Sequence, residues 1–127
     1  MAPAHRGFTL IELIVVLAIV GLLASLVAPR YVRSVDNARE ATLRTSLNVM
    51  RDAIDKYTAD RGQYPDSLQE LVSRGYLRHV PEDPVTGSRD SWQMVPPPAD
   101  SALTGSMADV RSGARGRGPS GLPYASW

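Results

Sequence analysis

Residues 8–28 read FTLIELIVVLAIVGLLASLVA, apolar throughout except for Thr9, Glu12 and Ser25. A helix of about 20 such residues covers the roughly 30 Å of hydrocarbon in a bilayer, so the stretch reads as a membrane segment. A secretory signal peptide would have a shorter apolar region ending in a small-x-small cleavage site. Here Leu26-Val27-Ala28 runs straight into Pro29. Arg6 precedes the span while Arg30, Arg33 and Arg39 follow it, so charge counting alone does not orient it. Glu12 is the residue that asks for an explanation. A lone carboxylate in apolar surroundings costs on the order of 3 kcal/mol on insertion scales and needs either a partner or a function, unless it sits close enough to the helix start to reach the headgroups.

Working outward, the whole chain has 127 residues and a formal charge of +1, with room for one small domain beyond the apolar segment. That balance gives no long-range field toward nucleic acid or acidic lipid. There is no Cys, which excludes disulfides, thiolate metal sites and a Cys nucleophile. Lys56 is the only Lys, and the Arg residues are scattered along the chain.

Beyond the apolar run, Leu43, Leu47, Met50, Ile54 and Tyr57 alternate at spacings of four and three, one apolar stripe of an amphipathic helix. Its polar side sets Glu40 with Arg44, Arg51 with Asp55 and Asp52 with Lys56, each four apart. The pattern ends at Arg61-Gly62, where Gly suits a left-handed cap. The helix is thus expected from near Phe8 to Asp60, roughly 80 Å at 1.5 Å per residue, with Pro29 as a point where it breaks or bends.

Ser67 and Glu70 form a capping box for a second, short helix carrying Leu68, Leu71 and Val72. Gly75 to Asp90 is rich in turn formers, and strands are expected over Ser91 to Val95 and Met107 to Arg111. Pro96 to Asp100 and Arg115 to Pro119 read as exposed, mobile loops. Strands this short need the Leu43 to Tyr57 stripe to close against. The fold class expected is α+β, a long N-terminal helix packed on a small antiparallel sheet.

A short basic leader ending in Gly7, followed by Phe8-Thr9-Leu10-Ile11-Glu12 and the apolar run, resembles the N-terminal signal of type IV pilins and pseudopilins. The likeness extends to the G-type pseudopilins of type II secretion systems through Gly62-Gln63-Tyr64-Pro65, Gly75-Tyr76-Leu77, Pro81-Glu82-Asp83-Pro84 and the Trp92 strand. It covers most of the chain, is specific through about Trp92 and is weaker beyond. The resemblance implies a leader over residues 1–7, an assembly helix over 8–28, its amphipathic continuation over 29–61, and a small globular part over 62–127. It implies cutting between Gly7 and Phe8 by a prepilin peptidase, methylation of the new Phe8 amine, and a single-pass protein of the bacterial inner membrane with its C-terminal domain in the periplasm. Glu12 would compensate the Phe8 amine of a neighbouring subunit and so set register. The implied partners are further copies of the chain, minor pseudopilins, the inner-membrane assembly platform and lipid. The implied function is a structural filament subunit that drives export of folded proteins, with a true surface pilus subunit or a membrane-anchored binding domain as alternatives.

The resemblance also implies a calcium ion in the C-terminal loops. Asp90, Asp100 and Asp109 are the carboxylates available for it, while Arg115 and Arg117 stand where acidic residues would help a cation. His5 and His79 are too few and too far apart to form a metal or catalytic set. No nucleophile motif or phosphate loop is present, so no enzyme activity is expected. Arg111 to Arg117, RSGARGR, reads as a solvated loop with no nucleic acid partner. Tyr64, Trp92 and Trp127 are expected to pack the domain core.

Overall fold

The computed structural model describes residues 6–127, so His5 and most of the expected leader lie outside the described residues. The elements are α1 (Leu10–Arg61), α2 (Leu68–Ser73), β1 (Gln93–Val95), β2 (Asp109–Arg111) and a closing 3-10 turn, Tyr124–Ser126. The chain divides into two compact units at Val35/Asp36, within α1.

In the first unit the side chains from Leu10 to Val32 are exposed along the helix, Phe8 before it included. Among the described residues α1 is the one helix long and apolar enough to cross a membrane. The break expected at Pro29 is not there, because α1 runs on through it. Pro29 withdraws a single N–H from the ladder, the donor for the Ser25 carbonyl, and the helical turns on either side keep theirs.

The second unit is built on the stripe. Leu43, Leu47, Met50, Ile54 and Tyr57 are all buried, and Ala53 joins them. Leu68 and Leu71 of α2, Leu77, Trp92, Met107 and Val110 complete the core. The two strands are antiparallel, with Met94 opposite Val110, and Val110 is the strand residue that turns fully inward. Trp92 is buried just before β1 and donates its indole N–H to the Pro81 carbonyl at 2.7 Å.

The ends of the helices follow local chemistry. Gly62 takes φ 68° and closes α1 by donating to the Thr58 carbonyl at 2.9 Å. At α2, Ser67 Oγ accepts the Glu70 N–H at 3.1 Å as expected. The Glu70 carboxylate reaches past the cap to the Asp66 N–H at 2.8 Å and also accepts the Tyr57 hydroxyl at 2.7 Å, tying α2 to α1.

Of the three helix-face ion pairs, Arg44 with Glu40 at 3.3 Å and Lys56 with Asp52 at 2.8 Å form. The third does not. Arg51 turns away from Asp55 and meets Asp109 at 2.8 Å, because β2 brings a carboxylate and a free carbonyl to that side of the helix.

Candidate functional site

The N-terminal site begins at the Gly7–Phe8 bond, which lies ahead of the helix. Gly7 and Phe8 are both exposed, and among the described residues nothing lies within 4 Å of where a Cβ on Gly7 would stand.

Thr9 and Glu12 then start the helix reciprocally. Thr9 Oγ1 accepts the Glu12 N–H at 3.2 Å, and the Glu12 carboxylate accepts the Thr9 N–H at 3.2 Å. This is a capping box, with the negative charge also favoured by the positive end of the helix dipole. The first turn is thereby stabilised, and the carboxylate is held one residue away from the Phe8 nitrogen. Phe8, Ile11, Glu12, Val15 and Val16 together line an open apolar groove. A carboxylate at the head of an otherwise apolar surface is a feature that a complementary positive charge would recognise.

The matching motif is that of prokaryotic N-terminal methylation, found over residues 3–28. The type II secretion system core protein G of Klebsiella michiganensis is 34% identical over 110 residues, covering 74% of this chain and 75% of that protein. The chain belongs to the type II secretion system core protein G family. The core protein G of Dickeya chrysanthemi is 30% identical over 97% of this chain and 83% of its own length. That of Pseudomonas aeruginosa is 34% identical over 63% of this chain and 68% of its own length. No solved structure matches.

The carboxylates considered for calcium in this core protein G chain are not brought together. Asp90 and Asp100 are exposed in separate loops. Asp109 is occupied twice, by Arg51 Nε at 2.8 Å and by the Val110 N–H at 2.7 Å. Among the described residues no group of three His, Cys, Asp or Glu is placed to hold a metal ion. The donor set does not fit calcium, since the nearest strong ligand is neutralised by a guanidinium.

Sequence reasoning missed the Thr9–Glu12 capping box, although the Thr-x-x-Glu spacing signals one, and it missed two features of the domain. One is Arg51, whose Nη2 also donates to the carbonyls of Val110 at 3.1 Å and of Trp127. Its spacing to Asp55 pointed to the wrong partner, and nothing local announces a partner 58 residues away. The other is Asp83, fully buried, whose carboxylate gathers the Ser112 hydroxyl, the Val85 N–H at 2.8 Å and the Thr86 N–H at 3.3 Å. The Asp83-Pro84 dipeptide signalled a turn, which is the local half of that arrangement.

Tyr64, Trp92 and Trp127 pack against or within the core, as expected. His79 is exposed. In the Arg115 to Pro119 loop, Arg115, Gly116, Arg117 and Pro119 are exposed as expected, while one residue is held against the domain. Gly118 is half-buried beside Glu40, Tyr124 and Trp127, and the Ser120 N–H donates to Glu40 Oε2 at 3.3 Å.

Proposed function

We propose that this chain is a structural subunit of a type II secretion pseudopilus, a filament rooted in the inner membrane that drives folded proteins across the outer membrane. The observation that carries the reading is Glu12, a carboxylate one turn into an exposed apolar helix and directly behind the exposed Gly7–Phe8 bond. Family membership supports it.

The proposed sequence of events follows from the cost of charge in apolar surroundings. Before cutting, the leader covers the Phe8 nitrogen as an amide. Prepilin peptidase frees it as an amine, which is then methylated. In the lone subunit the Thr9 N–H and the helix dipole hold the Glu12 carboxylate and lower its cost in lipid. When the helix enters a bundle of its own copies, the carboxylate exchanges that bond for the Phe8 amine of a neighbour. A subunit docked out of register would strand both charges, a penalty of several kcal/mol, so Glu12 checks register. Contacts of this kind are heterologous, one surface facing up and another down, and they propagate a filament. Minor pseudopilins and the assembly platform of the inner membrane are the other partners. The role is mechanical, with no bond made or broken by this chain.

The test is to express the full chain in a bacterial membrane with and without prepilin peptidase, and to determine the N-terminal residue and mass of the product. A product starting at methylated Phe8, formed only with the peptidase, is expected. An intact Met1 or a start at Pro29 would leave an ordinary anchored or secreted domain.

A further inference from the structure

We infer that the C-terminal loop from Ser112 to Trp127 is fastened by the chain's own guanidinium groups, and that its order is independent of calcium. The inference concerns the single subunit and stands whether or not a filament forms.

A calcium ion in such a loop would need six to eight oxygens, including carboxylates to offset its charge. The loop contains no Asp or Glu, and Arg115 and Arg117 add positive charge to it. Several of the oxygens that are present already have donors, among them Asp109 Oδ1 and the carbonyls of Gly116, Gly121, Leu122 and Trp127. Arg51 is the centre of the arrangement, since its Nε holds the Asp109 carboxylate at 2.8 Å while its Nη2 holds the carbonyls of Val110 and Trp127. One planar cation thus ties α1 to β2 and to the last residue of the loop.

A second guanidinium works inside the loop. Arg117 Nη1 donates to the Gly121 carbonyl at 2.9 Å, across a turn in which Gly118 donates to Leu122 at 3.0 Å and Tyr124 to Gly116 at 3.2 Å. A third supports the end of the chain described here. The Arg44 guanidinium lies 4.6 Å from the centre of the Trp127 ring, which in turn packs on Tyr124 at 5.9 Å between centroids. Glu40, the remaining carboxylate in reach, is shared between Arg44 and the Ser120 N–H. Charge-assisted hydrogen bonds from a rigid, permanently charged fork give the directional closure that a metal ion otherwise gives to carbonyl oxygens.

The test uses the full chain in detergent micelles and follows trypsin cutting after Arg115 and Arg117, together with the thermal midpoint, in EGTA and in millimolar calcium. The expected result is one cleavage rate and one midpoint in both solutions, and about tenfold faster loop cleavage in Arg51→Met, in keeping with the loss of charge-assisted bonds that close the segment. Faster cleavage of the unmodified chain in EGTA, reversed by calcium, would overturn the inference. So would an Arg51→Met loop as resistant as the original. Should Arg51→Met fail to fold, calcium titration of the unmodified chain by calorimetry decides the matter: no saturable binding is expected, and saturable binding that raises the midpoint refutes the proposal.

Discussion

The carboxylate of Asp83 accepts the hydroxyl of Ser112 at a point where neither residue reaches solvent. A buried carboxylate is tolerated when its lone pairs are taken, and here the N–H groups of Val85 and Thr86 take them too. Ser112 relays the contact by accepting the Ala114 N–H at 3.1 Å. The turn after α2 and the strand leading into the C-terminal loop are therefore joined through one side-chain pair. Asp83→Ala leaves three donors without an acceptor, and we expect it to cost about 2–4 kcal/mol, with Ser112→Ala costing about 1–3 kcal/mol. Urea unfolding of the full chain in micelles, followed by tryptophan fluorescence, measures both.

The Tyr57–Glu70 contact gives the acid side of the stability profile. The Asp66 N–H, and after it the Tyr57 hydroxyl, stabilise the ionised carboxylate and hold the Glu70 carboxyl below the ordinary glutamate value. A depressed folded-state pKa contributes stability that is present above the unfolded value, about 4.3, and is lost as pH falls through the folded one. Thermal midpoints of the wild type should therefore decline on acidification below that range, and Glu70→Gln should start lower at neutral pH and show a flatter acid limb. Parallel limbs for the two proteins would remove Glu70 from this role.

Gly113 is a packing requirement. A Cβ there would collide with the Ser91 carbonyl, which is backbone and cannot swing aside. Gly121 has φ 84° but opens into free space. Gly113→Ala is expected to destabilise by more than about 2 kcal/mol, and Gly121→Ala by about 1 kcal/mol from the left-handed backbone alone. Similar costs at the two positions would contradict the close approach of the strand ends.

Much of the fold was legible because its signals are local. The stripe from Leu43 to Tyr57 follows helical periodicity, Gly62 closes α1 where a left-handed residue was called for, and both strands fall inside the expected stretches. Glu12 stood out because an apolar run makes any charge conspicuous. The errors came where a side chain had a choice that only topology decides. Arg51 had a suitable acid one turn away and took one on β2 instead. Pro29 carries a local penalty that the helix absorbs. The Gly- and Arg-rich C-terminal segment reads as loose from composition, yet Arg51 and Arg117 donate to its carbonyls.

The proposed role stands or falls on Glu12. The decisive measurement is electron microscopy of filaments formed by the full chain co-expressed with prepilin peptidase and the assembly machinery, comparing wild type with Glu12→Ala. Both should be cut to Phe8, because Glu12 lies beyond the cleaved bond. Wild type should form long filaments and Glu12→Ala few or none, since the neighbour's amine would then be buried without a counter-charge. Filaments of Glu12→Ala as numerous and as long as those of the wild type would contradict the pairing on which the proposed assembly depends.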